Sequence, residues 1–500
     1  MELSFQTDFL NCYDRVYSQM LRKDETQDFV VPDTLPDITE ILCVSGNVFI
    51  RSKDVGTGYV RLEAVIPAKL SYKTEDSGEI FCVDLNIPVS VSFEDDAIPD
   101  GGICISDLKL ASLEGKMLNP RKVSIWASVT FYVQCYAPAQ ISFISSPSLP
   151  AEGIQMRDRT VMLTTVCGVS EKTFVLTDEF SLPGAVKNVL SQNTRLQVEE
   201  CKTVGTKLVV KGTAKSSLLY LSEELSTGVI EFSTVFSQII EMNALPDDPY
   251  VSVKLLLSGA YYDTSGSELQ NGSMELHVVA QATAYDTGEH KCLTDVYSNR
   301  YLLDIQEEET ELCYIQKPLT LRETLREHIT TAVPVAELLQ GQYELGIPQV
   351  EAGTITLPLS VCIHYRLADG DAGWIRHSFT AEFHQELEDG NYLEVMDVST
   401  QELYLTIASG SIEVRLPIDL QVLLERKEEV LCVRNIQYDE NVVQDLSECP
   451  SLVILRAKDD DDLWQLAKAN ASTVEAITEA NALDQLTVPW EKLIIIPKVQ

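Results

Sequence analysis

Three segments of the chain alternate apolar and polar residues with a period of two: Val123, Ile125, Ala127 and Val129; Met274, Leu276, Val278 and Ala280; and Ile412, Val414, Leu416 and Ile418. Alternation of this kind puts one face of a strand in a core and the other in solvent, so each segment predicts a half-buried strand of an antiparallel sheet. A turn signal precedes each one, at Asn119-Pro120, Asn271-Gly272 and Ser409-Gly410. Earlier in each stretch lies a hairpin pattern. Lys69-Leu70-Ser71-Tyr72 leads through Glu75-Asp76-Ser77-Gly78 to Ile80-Phe81-Cys82-Val83. Ser217-Leu218-Leu219-Tyr220 leads through Glu223-Glu224 and Gly228 to Val229-Ile230-Glu231-Phe232, and Cys362-Ile363-His364-Tyr365 through Gly370 and Gly373 to Trp374-Ile375-Arg376-His377. Strand, polar glycine turn and strand recur at a spacing of about 147 residues, with Leu35-Pro36 and Leu182-Pro183, and Gly58 and Gly205, keeping step.

The pattern predicts a mainly β chain of three tandem antiparallel, sandwich-like β domains, at 31–145, 172–290 and 318–430. Residues 1–30 read differently. Phe9, Leu10, Tyr13, Val16, Tyr17 and Met20 have helical spacing and predict an amphipathic helix over 7–22, docked on the first domain. Pro147 to Pro150 reads as a linker, and Gln306-Glu307-Glu308-Glu309 as a solvated boundary. Residues 451–498 change period again. Leu452-Val453-Ile454 and Leu493-Ile494-Ile495-Ile496-Pro497 read as strands, and two helical stripes lie between them, Leu463, Trp464, Leu466 and Ala467, then Val474, Ile477 and Ala480. Ser472 or Thr473 is placed to cap the second helix. The result is a small β-α-α-β unit, an α+β addition to the β domains.

A formal charge of −38 opposes binding to nucleic acid or to an anionic lipid surface, since either would be held against repulsion. No stretch approaches eighteen consecutive apolar residues, and Met1-Glu2-Leu3-Ser4-Phe5 does not open a basic and then apolar leader, so neither insertion nor export is expected. The twelve cysteines contain no C-x-x-C pair, which predicts free thiols in a reducing cytoplasm.

Catalytic constellations are absent from the sequence. There is no Gly-x-Ser-x-Gly, His-Glu-x-x-His, phosphate-binding or dinucleotide glycine motif, and no carboxylate spacing singles out an acid and a base. Cys362 and His364 share a strand face, but His377 and His384 are an odd number apart, so a metal site from this set is not expected. The expectation is a non-enzyme with no metal and no cofactor.

The terminal β-α-α-β unit resembles a LysM domain, a binding module. Its two groove loops depart from the sugar-binding pattern: Asp459, Asp460, Asp461 and Asp462 occupy the turn before the first helix, where a Gly-Asp-Thr turn is usual, and Pro489-Trp490 replaces a Pro-Gly turn. A protein partner is therefore expected ahead of a glycan, with peptidoglycan or N-acetylglucosamine oligomers as the alternative ligand. The residues expected to hold the partner are Asp459, Asp460, Asp461, Asp462, Trp464, Asn481 and Trp490; the acidic run supplies complementary charge and Trp490 an aromatic anchor, while Trp464 also fits a core position.

Three β domains followed by such a module resemble the SPOCS-plus-LysM family of spore-coat morphogenetic proteins of spore-forming Firmicutes. Leu35-Pro36-Asp37-Ile38 followed by Ile41-Leu42 is similar to the SPOCS signature, although the second and third repeats lack the Pro-Asp-Ile motif. The resemblance implies an assembly protein of the mother-cell cytoplasm, at the forespore surface, whose LysM module contacts the ATPase scaffold of the coat's basement layer, with other coat proteins as further partners.

Overall fold

The computed structural model describes residues 5–499 apart from 75–78, 148–151, 243–244, 266–270, 332, 369, 371, 409, 448, 457–461 and 484–492. It is mainly β, with antiparallel sheets and two short helices near the C-terminus. One strand arrangement recurs three times.

In the first group, β1 (Gln6–Val30) pairs with β7 (Lys122–Ser145), which also pairs with β6 (Ile103–Asn119). Across from them, β4 (Tyr59–Lys73) is flanked by β2 (Glu40–Gly46) and β3 (Phe49–Gly56) on one edge and by β5 (Ile80–Glu94) on the other. In the second, β8 (Ile154–Ser181), β13 (Asn271–Ser298) and β12 (Tyr250–Asp263) form the first sheet, and β9 (Val186–Val204), β10 (Lys207–Ser222) and β11 (Thr227–Glu241) the second. In the third, β14 (Tyr301–Thr330) pairs with β21 (Ser411–Val443), whose other edge carries β19 (Asn391–Thr400) and β20 (Tyr404–Ala408). Its second sheet holds β15 (Val335–Leu345), β16 (Gln349–Glu351), β17 (Thr354–Leu367) and β18 (Ala372–His384).

The alternating positions face the cores. Val123, Ile125, Ala127 and Val129 are fully buried, as are Ile412, Val414, Leu416 and Ile418, and Met274, Leu276, Val278 and Ala280 nearly so. Each large aliphatic side chain among them contributes about 1.5–3 kcal/mol on burial. The hairpin patterns are antiparallel pairs, with Tyr72 opposite Phe81, Leu219 opposite Val229 and His364 opposite Trp374. Gly58, Gly205 and Gly353 hold positive φ in the turns into β4, β10 and β17, a conformation that costs a side-chain-bearing residue free energy. Asn271-Gly272 lies on a strand opposite Ser181 and Phe180, not in a turn, and a Cβ on Gly272 would fall 2.5 Å from the Phe180 ring.

The N-terminal segment is not a helix. β1 runs the length of β7, and its Tyr13 bridges to Val166 of β8. A β-bulge at Val16 inserts one residue, so the inward face passes from Leu10 and Cys12 to Tyr17 and Leu21, and this break in the two-residue period imitates helical spacing. Bulges at Cys167 in β8 and Gln316 in β14 stand at the matching places. On one side of each bulge the long strands belong to a sheet that shares a core with a second sheet; on the other they continue as a two-stranded ribbon.

The three ribbons pack together as a stem. Leu10 and Phe143, Val161 and Cys292, and Leu312 and Cys432 meet in one buried cluster. The long strands β1, β8 and β14 begin at Gln6, Ile154 and Tyr301, ahead of positions 31, 172 and 318. Gln306 to Glu309 are exposed but lie within β14 and do not mark a boundary. Pro147 is outside the strands, and Ser148 to Pro150 are outside the described residues. Cys104 and Cys135, facing each other on β6 and β7, form a disulfide, so not every thiol is free; the other ten cysteines are unpaired.

Candidate functional site

The C-terminal unit consists of β22 (Leu452–Arg456), α1 (Leu463–Ala469), α2 (Val474–Asn481) and β23 (Leu493–Pro497), with β22 and β23 antiparallel. Asp462 caps α1, accepting from the Trp464 backbone N–H at 3.1 Å, and its other carboxylate oxygen pairs with Arg157 of β8. Thr473 caps α2 through the Ala476 N–H, whereas Ser472 donates to the Pro497 carbonyl. Leu463, Trp464, Ala467, Ile477, Ile494 and Ile496 form the core, which Tyr297 of β13 enters from the stem.

Helix α1 is fastened to the stem. Trp464 is 8% exposed; its indole N–H donates to Asp295 Oδ2 at 2.7 Å and its ring meets Tyr297 edge-on at 4.9 Å between centroids. Lys468 reaches the other Asp295 oxygen at 2.7 Å, and Tyr297 and Asn299 both donate to the Ser472 carbonyl. Asn481 Nδ2 donates to the Ile477 and Ile495 carbonyls, while its oxygen accepts from the Ile495 N–H. The three described members of the expected site thus act within the chain: Asp462 caps and anchors, Trp464 docks, and Asn481 ties α2 to β23. Asp459, Asp460, Asp461 and Trp490 lie outside the described residues.

The sheet of this unit has one apolar face too many for its size. Val453, Leu455, Ile494 and Ile496 point at the helices, and the opposite face presents Leu452, Ile454 and Leu493, 52%, 58% and 65% exposed, with half-buried Ile495 across from Ile454. Four aliphatic side chains contiguous on one exposed face are the composition of a contact surface.

A second feature, a cavity of about 1280 Å³, lies between the three strand groups, bounded below by the stem. Along its floor, Arg15 pairs with Glu394 at 3.0 Å and Tyr285 donates to the same carboxylate oxygen at 3.3 Å. Glu425, on the neighbouring strand, accepts from the Cys313 thiol at 3.6 Å. Burial, followed by the charge of Glu394, pushes the Glu425 carboxyl up to about 7. Arg15, already matched to Glu394, is held further above its usual range. On the walls, Lys254 stands over the Tyr132 ring and Arg195 lies 3.9 Å from the Tyr343 ring centre. The Gln281 amide exchanges two hydrogen bonds with the Ser106 backbone, and Ser252 donates to the Met396 carbonyl, so the three groups are tied together around the cavity.

Half-buried Cys362 and buried His364 are 3.8 Å apart, where the three second sheets meet. Burial pushes the thiol up to about 12 and the imidazole down to about 4, which leaves both neutral near pH 7, the reverse of an activated nucleophile and its base. His377 and His384 are on the surface, away from it. Among the described residues no group of three or more histidine, cysteine or acidic side chains is arranged to hold a metal, and no helix is long and apolar enough to cross a membrane.

Sequence reasoning missed Asp295, Tyr297 and Glu425. The first two end a strand, where a polar residue beside an aromatic one carries no periodic signal; Glu425 is one of 76 acidic residues. Comparisons with protein-family models, with curated proteins and with solved structures each return no match.

Proposed function

We propose that the chain is a non-enzymatic assembly protein: its three strand groups are three copies of one sandwich domain, acting as a rigid support, and its C-terminal unit is a LysM-like module that captures a protein. The observation that carries this reading is the outward face of β22 and β23. Helix α1 is spent on the stem, through Trp464, Lys468 and Asp462, while Leu452, Ile454 and Leu493 stay exposed beside half-buried Ile495, with no partner among the described residues. An apolar face held at the end of a stem serves binding better than folding.

The resemblance to SPOCS-plus-LysM proteins supplies the partner: the ATPase scaffold of the spore coat's basement layer, met in the mother-cell cytoplasm at the forespore surface. The charge of −38 favours a partner with a basic rim around its apolar contact, since complementary charge speeds association. Replacing Ile454 and Leu493 together by Asp is expected to lower affinity for that scaffold protein at least tenfold, read by calorimetric titration, with the thermal unfolding of the chain little changed because both side chains are already exposed. Undiminished affinity in the double variant removes this face from the reading. Saturable heat on adding N-acetylglucosamine oligomers to the full chain replaces the protein partner with a glycan.

A further inference from the structure

The cavity between the strand groups is walled by sheet edges. Its lining includes consecutive residues of five strands: 107–110 of β6, 193–198 of β9, 252–257 of β12, 341–345 of β15 and 392–400 of β19. Side chains alternate between the two faces of a strand, so a cavity lined by consecutive residues meets the edge of that strand. All five strands stand at the end of their sheets, each paired along one side only. Such an edge offers main-chain donors and acceptors to a further strand. The volume of about 1280 Å³ exceeds the range of about 300–1,000 Å³ usual for small-molecule sites. The cavity is open to solvent where Lys215 and Glu231 of the second group and Gln401 and Glu402 of the third, all exposed, line it.

The wall supplied by the second group is cationic. Arg195, Lys215 and Lys254 line it, and none of the three forms an ion pair among the described residues, in a chain whose acidic side chains outnumber its lysines and arginines 76 to 38. Arg195 and Lys215 stand directly opposite each other on β9 and β10, and like charges so placed repel. Glu231, diagonal to Lys215 on β11, pairs with neither. Arg195 lies over the Tyr343 ring, and its Nη1 is buried without a hydrogen-bond partner among the described residues. A carboxylate placed between the two cations would remove their repulsion and give Arg195 the acceptor it lacks.

We propose that the cavity holds an extended acidic peptide segment of a partner protein, added as a strand to the free edge of β9 along 193–198, with an Asp or Glu side chain between Arg195 and Lys215. Over these residues β9 keeps an unbroken register with β10, from Asn193 opposite Ser217 to Val198 opposite Gly212, so no bulge interrupts a ladder on its other edge. Six residues of strand span roughly 20 Å. The main-chain ladder supplies affinity with little dependence on sequence, and the cationic wall selects the acidic side chain.

The inference does not depend on the terminal unit or its partner. The full chain is equilibrated with a synthetic library of N-acetylated, C-amidated octapeptides, and the peptides that travel with it in size exclusion are sequenced by mass spectrometry. Enrichment of Asp and Glu over the input and depletion of Pro, which has no main-chain donor, are expected. The most enriched peptide is expected to protect 193–198 from hydrogen exchange and to add no protection at 452–456 and 493–497. Lys215→Glu supplies the missing carboxylate from within the chain, so it is expected to weaken that peptide at least tenfold while the unfolding temperature stays level or rises, a combination that damage to the fold would not give. Arg195→Gln is expected to weaken it as well. Methylation of alternate main-chain nitrogens in the peptide removes ladder donors without removing charge, and is expected to abolish binding. Absence of acidic enrichment, unchanged affinity in Lys215→Glu, or equal affinity of the methylated peptide overturns the proposal.

Discussion

Trp464→Ala unfolds the C-terminal unit and leaves the three strand groups folded. The indole fills the core between α1 and the sheet, contacts Tyr297 and bonds to Asp295, so its removal opens a cavity and leaves one Asp295 oxygen without its donor. Truncation of a buried Trp costs about 3–5 kcal/mol, a large share of what so small a unit can hold. Hydrogen exchange by residue checks this: α1, α2, β22 and β23 are expected to lose protection while β7, β13 and β21 keep theirs. Trp464→Phe retains most of the packing and loses only the bond to Asp295, so it is expected to fall between Ala and wild type. Retained protection in the Ala variant would mean that the unit is not held through this side chain.

Glu425→Gln stabilises the chain, and by more as the pH rises. The carboxyl moves from a usual 4.5 to about 7 on folding, because burial and the neighbouring Glu394 both disfavour its charge. Between those two values the unfolded chain is ionised while the folded chain keeps its proton, so this group removes stability as the pH climbs, and the loss is complete above about 7. The full shift corresponds to roughly 3 kcal/mol; partial contact with cavity water lowers the expected gain at pH 8 to about 2 kcal/mol. Glutamine keeps an acceptor for the Cys313 thiol without the charge. Urea unfolding of both chains at pH 5 and pH 8 is the check: the difference should be small at pH 5 and grow toward pH 8, and a difference that shrinks in that direction contradicts the assignment.

These two positions mark what the sequence does and does not carry. Ile125, Leu276 and Leu416 are legible as core because the two-residue period is unbroken around them. The helices of the terminal unit are legible for a similar reason, since Leu463 and Ala467 in α1, and Val474 and Ile477 in α2, stand at helical spacing. The first long strand of each group is not, for Val16, Cys167 and Gln316 each shift the period midway, where the strand passes from its sheet into the stem. Nor is the cavity, which gathers Arg15, Tyr285, Glu394 and Glu425 from three separate strand groups. Among the expected site residues, Asp462 caps α1 and pairs with Arg157 of the same chain, and only a tertiary structure can distinguish such an internal anchor from a contact offered to another protein.

The proposed function rests on the outer face of the terminal sheet being free to bind, and hydrogen–deuterium exchange of the full chain with and without the proposed ATPase scaffold partner tests it most directly. Added protection centred on 452–456 and 493–497, absent when N-acetylglucosamine oligomers replace the protein, is the result expected. Protection that falls on the cavity walls or the stem instead, with those two strands unchanged, would contradict it.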